Sequence, residues 1–198
     1  MLAAGSLSAQ TPTDFVPLFD GTLNGWTIEN SDTGNFSLRD GVLRVEAPRG
    51  WLKSAQQFAD FRLRIEFRFV TDDADSGLFV RAVAEESFGP GWPSRSYQVQ
   101  LRNPVGASRF PAVGGVFRHG MPPGDTDFDA AAAARLSTGT GQWQTLEIEV
   151  IGEKLSVKLN DTVLTRAGGI VNPSGYIGIQ GETGVVEFRA IEISTSGY

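Results

Sequence analysis

The chain has 198 residues, with 24 glycines, 10 prolines, no cysteine and 40% hydrophobic residues. That length suits one domain, the glycine and proline suit many short turns, and the apolar share excludes a disordered chain. Without cysteine, packing must replace disulfides and thiolate-bound zinc, and a formal net charge of −6 excludes nucleic acid and anionic membranes, which attract cationic surfaces.

Residues Met1 to Gln10 are small and apolar, and Ala9 before Gln10 resembles a signal-peptidase site. They read as the remnant of a signal peptide or as a flexible N-terminus, and the first reading predicts a secreted or periplasmic protein. Residues 11–198 read as one domain. No apolar run approaches the ~20 residues needed to cross a bilayer as a helix.

Within that domain, Asp40-Gly41 separates Phe36–Leu38 from Val42–Val45 and predicts a hairpin. From Asp60 to Val70 the alternation is strict: Phe61, Leu63, Ile65, Phe67 and Phe69 face one way, and Arg62, Arg64, Glu66 and Arg68 the other. Asp72, Asp73 and Asp75 crowd one turn. Gly89-Pro90-Gly91-Trp92-Pro93 predicts a loop that presents Trp92. Alternation returns at Ser96 to Arg102, where Tyr97, Val99 and Leu101 are separated by Gln98 and Gln100.

The stretch from Asn103 to Gly141 is proline- and glycine-rich, with only Val116 to His119 strand-like, and reads as a binding loop or as a surface excursion. Inside it, Asp129 to Leu136 predicts a short helix capped by Asp129. Thr145 to Val150 alternates again, and Asn160-Asp161 joins Leu155–Leu159 to Thr162–Leu164 as a second hairpin. One short helix cannot supply the crossovers that parallel strands require. The expected fold is therefore all-β, a two-sheet antiparallel sandwich.

Several of these stretches carry motifs. Leu18-Phe19-Asp20-Gly21-Thr22-Leu23-Asn24-Gly25-Trp26, Phe36 to Leu43, Asp60 to Arg68, Ser76 to Arg81, Tyr97-Gln98-Val99-Gln100 and Gly114 to Phe117 follow in order. Gly141 to Thr145, Leu159-Asn160-Asp161, Gly175 to Gln180 and Glu187-Phe188-Arg189 complete the series. Together they resemble the 3-keto-disaccharide hydrolase family from about Phe15 to Ile193. The resemblance implies a concanavalin A-like jelly roll and cleavage of glycosides already oxidised to a ketone at C3.

Such a ketone acidifies the C2 hydrogen, so a base can expel the C1 substituent by elimination, and water can then add back. The base needs company: donors at the enolate oxygen and an acid at the leaving oxygen. The resemblance and the strand faces nominate Glu66, Arg68 and Arg81 for these tasks, with Arg81 on the same face as Phe79. His119 is the only histidine, and its ordinary pKa suits proton transfer near neutrality.

Gln98 stands where the family pattern has Glu, and Gln cannot take a proton. The chain would then either bind sugar without cutting it or shift the role to Glu66, Glu182 or His119. Gln98, Gln100 and Gln180 are expected to hold sugar hydroxyls. Trp92 is the preferred stacking platform over Trp51 and over Trp143, which reads as core. No metal site is assigned: Asp72, Asp73 and Asp75, or Asp125, Asp127 and Asp129, read as solvated acidic loops, and a divalent cofactor, calcium or manganese, is left open. A retaining glucanase ranks last, because its E-x-D-x-x-E signature is absent.

Overall fold

In the computed structural model, residues 15–30, 35–88, 91–105 and 111–195 are described, with the side chains of 85–88 left aside. The leader-like residues 1–10 fall outside this set, as do 89 and 90 of the proline–glycine loop.

Among the described residues the chain forms fifteen strands and one helix, in the order β1 (Val16–Phe19), β2 (Trp26–Glu29), β3 (Phe36–Arg39), β4 (Val42–Glu46), β5 (Gly50–Phe58), β6 (Phe61–Phe69), β7 (Asp75–Phe88), β8 (Trp92–Arg102) and β9 (Val116–His119). Then follow β10 (Thr126–Phe128), α1 (Ala130–Leu136), β11 (Gln144–Ile151), β12 (Lys154–Leu159), β13 (Thr162–Gly168), β14 (Gly175–Thr183) and β15 (Val185–Ser194). They build two antiparallel sheets. The nine-stranded sheet runs β10-β13-β12-β11-β6-β15-β4-β3 with β1 added to β15, and the six-stranded sheet runs β2-β5-β14-β7-β8-β9.

Local chemistry places the turns. Asp40 (φ 52°) and Gly41 (φ 75°) both have left-handed backbone, as do Asn160 (φ 46°) and Asp161 (φ 66°), which is the type I′ arrangement that matches strand twist. The pairs Arg39↔Val42 and Leu159↔Thr162 close the two expected hairpins. Asp129 caps α1 as expected, its Oδ1 accepting from Ala132 N at 2.8 Å.

The described part of the irregular stretch is more ordered than its composition implies. Val116–His119 is a strand of the six-stranded sheet, and Thr126–Phe128 adds a strand that sequence alternation does not reveal. Trp92 is not in a loop: it opens β8 and pairs with Phe88.

The core lies between the sheets. Phe61, Leu63, Ile65, Phe67 and Phe69 of β6 face Leu78 and Val80 of β7, Tyr97, Val99 and Leu101 of β8, and Ile177 and Ile179 of β14; all are buried. In β6 the odd and even positions thus have opposite fates, buried and half-buried, as the two-residue period demands. The ends of the two sheets, β3, β10, β2 and β9, have three or four residues each, whereas β6 has 9 and β7 has 14.

Candidate functional site

The outer face of the six-stranded sheet carries a polar pocket. Residues one step out of phase with the core strands line it: Asp75 from β7, Gln98, Gln100 and Arg102 from β8, Phe117 and His119 from β9, and Gln180 and Glu182 from β14. Trp92 forms a wall, and the cavity is about 290 Å³. Gly77 makes the floor. A Cβ on it would sit 2.5 Å from Gln98 Nε2 and 2.9 Å from Gln180 Oε1, so its missing side chain lets these two glutamines meet across β7.

The meeting is a buried amide network. Gln98 Nε2 donates to Gln100 Oε1 at 2.6 Å and to Gln180 Oε1 at 3.0 Å. Gln100 Nε2 donates to Asp75 Oδ1 at 2.7 Å, and Asp75 Oδ2 pairs with Arg102 at 3.3 Å. At the other end, Gln98 Oε1 lies 2.7 Å from His119 Nε2. The His119 ring is held from three sides by Phe79, Trp92 and Phe117, with centroids 6.0, 6.1 and 6.3 Å away.

Burial shifts the titrating groups in opposite senses. It lowers the His119 pKa, so the imidazole is neutral at pH 7. Glu182 is pushed up to about 7, first by burial and then by repulsion from Asp75, while Arg49, donating at 3.2 Å, holds it back only in part. Asp75 is also raised by burial. One pocket therefore holds a neutral nitrogen base and a carboxyl poised near neutrality.

Two donors add to this. Gln180 Nε2 and Trp92 Nε1 are buried without an acceptor among the described residues. Such groups find their partners in water or in an oxygen-rich ligand.

The sequence-level candidates separate here. His119, Gln98, Gln100, Gln180 and Trp92 are brought together in the pocket. Glu66 and Arg68 are not: they lie on the outer face of the other sheet, with the whole core in between. There Arg68 pairs with Glu187 at 2.6 Å and covers the Trp143 ring at 4.7 Å, while Glu66 accepts from Arg189 at 2.5 Å. Trp143, half-buried between the guanidiniums of Arg68 and Arg189, is an outer-face residue and not core.

Arg81 leaves the Phe79 face altogether. Its φ of 47°, within a register shift of β7 against both neighbours, turns the side chain inward, and it is 2% exposed. It donates to the carbonyls of Ala59, Gly152 and Asn172 and to Asp60 Oδ1, so it is a structural clamp. Trp51 is likewise buried, lying over Gly178 and edge-on to Phe79 at 5.8 Å.

Sequence reasoning undervalued Glu182 and missed Asp75 as a pocket group. The available signal was phase: both are on the face of the Gln98, Gln100 and Gln180 side chains.

The described residues do not supply a metal-ligand set, since no three His, Asp or Glu side chains converge. Asp72 accepts from Thr140, Asp129 is spent on the helix cap, and Asp75 is engaged by Gln100 and Arg102. A larger hollow of about 930 Å³ lies over β10, β12 and β13. Asp125, Asp127, Lys154 and Arg166 in it are exposed, and Glu149 and Lys158 are half-buried.

A family model described as "3-keto-alpha-glucoside-1,2-lyase-like domain" matches residues 14–194. A crystal structure from Parabacteroides distasonis ATCC 8503, described as a candidate glycosyl hydrolase, superposes with a TM-score of 0.69 at 18% identity, covering 91% of this chain and 98% of that one. A carbohydrate-binding module from Bacillus subtilis superposes with a TM-score of 0.57 at 12% identity, covering 86% and 96%. The lumenal domain of VIP36, in a Ca²⁺- and mannose-bound form, gives 0.61 at 14%, covering 88% and 84%. These likenesses establish a lectin-like sandwich. No curated protein sequence matches the chain.

Proposed function

The chain belongs to the family of 3-keto-alpha-glucoside-1,2-lyase-like domains, and from that premise we propose that it cleaves glycosides carrying a ketone at C3 of the sugar. His119 accepts the C2 proton; the C2 electron pair forms a C1=C2 double bond as the C1–O bond breaks; Glu182, protonated, gives a proton to the leaving oxygen. The products are an unsaturated keto sugar and a free alcohol, and addition of water across the double bond completes net hydrolysis. The single observation that carries this reading is the pairing, in one pocket, of a neutral His119 with a Glu182 pushed up to about 7. Gln180 and Trp92, with buried unpaired N–H groups, are suited to sugar oxygens. Export is part of the proposal and is supported by the leader-like composition of residues 1–10.

The test is incubation with a 3-keto-glucoside and with its unoxidised parent. Aglycone release from the keto sugar alone is expected, falling about 10²–10⁴-fold in the His119→Ala and Glu182→Gln variants. Binding of both sugars without turnover overturns the enzyme reading. It would favour a noncatalytic carbohydrate-binding domain, a second reading supported by Gln98, a neutral amide at the centre of the network.

A further inference from the structure

The amide network has a direction. Asp75 pairs through Oδ2 with Arg102, which leaves Oδ1 as an acceptor, so Gln100 turns its NH₂ toward Asp75 Oδ1 and its oxygen toward Gln98. Gln98 in turn meets two oxygens, those of Gln100 at 2.6 Å and Gln180 at 3.0 Å, and spends both amide protons on them. Its own oxygen is left pointing at His119 Nε2, 2.7 Å away. Flipping the Gln98 amide would lose two hydrogen bonds and crowd three oxygens together. With Gln98 and Gln100 each 3% exposed, water cannot repair that loss.

We propose that Asp75, through Gln100 and Gln98, fixes His119 in the tautomer with the proton on Nε2, so that Nδ1 is the proton-accepting nitrogen. Gln98 is then a positioning residue whose carbonyl oxygen orients the base. Protonation of Nδ1 breaks no existing hydrogen bond, because Nε2 donates to Gln98 before and after. The charged groups facing the pocket are Asp75 of β7, Arg102 of β8 and Glu182 of β14, with Arg49 seated over the Trp92 ring at 5.2 Å. Of these, Asp75 is the one tied to the ring by hydrogen bonds, through two amides. The catalytic use of Nδ1 rests on the lyase reading; the tautomer does not.

Because His119 is the only histidine, its two ring nitrogens can be read directly by long-range proton–nitrogen NMR of the uniformly ¹⁵N-labelled full chain. Above the histidine pKa we expect one tautomer, with a pyrrole-type Nε2 and a pyridine-type Nδ1. Gln98→Glu places a carboxylate against Nε2–H and should raise the His119 pKa by about 1–3 units. Gln98→Leu should release the ring to average between tautomers. A proton on Nδ1 or averaged nitrogens in the parent protein, or an unmoved titration in Gln98→Glu, overturns the inference. The expected tautomer without turnover of any keto sugar sinks the lyase reading instead, and leaves this inference standing.

Discussion

At the scale of single residues, the pocket is defined by what burial does to two titrating groups. His119 must lose its proton and Glu182 must keep one for the proposed reaction to run. The rate should therefore fall on the acid side as His119 titrates below 6.5, and on the alkaline side as Glu182 titrates near 7, giving a narrow bell in the pH–rate profile. Stability carries the same signature. A carboxyl whose folded pKa exceeds its unfolded value favours folding fully below the unfolded pKa of 4.5, and that contribution is lost as pH rises through about 7. Glu182→Gln should thus be more stable than the parent at pH 8, by on the order of 1–2 kcal/mol after allowing for partial solvent screening, and no more stable at pH 4. Thermal unfolding at the two pH values checks this.

At the scale of elements, the strand pattern was legible and its exceptions were not. The alternation of β6, the two left-handed hairpin turns and the Asp129 cap each follow from a few adjacent residues, and each is present. Arg81 shows where such reading stops. Two-residue periodicity puts it beside Phe79, but a local bulge reverses it, and bulges are settled by neighbouring strands that sequence spacing does not reveal. Its buried guanidinium ties together Ala59 and Asp60 ahead of β6, Gly152 between β11 and β12, and Asn172 ahead of β14. Arg81→Met should cost about 3–5 kcal/mol in urea denaturation, because the carbonyls of Ala59, Gly152 and Asn172 lose this donor at once and Asp60 keeps only the N–H of Gly152. The loop expected around Trp92 is overturned for a related reason: the glycines and proline there suggest a loop, yet the Trp92 backbone pairs with Phe88.

At the scale of the whole molecule, the sandwich has two polar outer faces, and the sequence does not say which of them works. Glu66 and Arg68 sit in the most regular strand of the chain, which made them conspicuous. Their face is a lattice of ion pairs, Arg44, Arg68 and Glu187 on one side and Arg64, Glu147 and Lys158 on the other. The face that carries the pocket is marked instead by amides and by Gly77, signals that become informative only when β7, β8 and β14 are known to be neighbours. Glu66→Gln and Arg68→Ala should accordingly leave turnover of a keto sugar within about twofold of the parent, and Glu66→Gln, whose partner Arg189 faces solvent, should change stability by no more than about 1 kcal/mol. A large loss of turnover in either would move the reaction to the other sheet.

The brevity of the terminal strands bears on how the protein behaves in company. An open sheet invites a stranger's backbone to dock along its margin and start a fibre, and the invitation grows with the length of that margin. Here, among the described residues, β2, β3, β9 and β10 offer only three or four residues apiece. The long strands β6 and β7 are walled in by neighbours on both sides. Crowding therefore gives each molecule little by which to grip the next, and a sandwich made largely of strand stays a poor seed for amyloid.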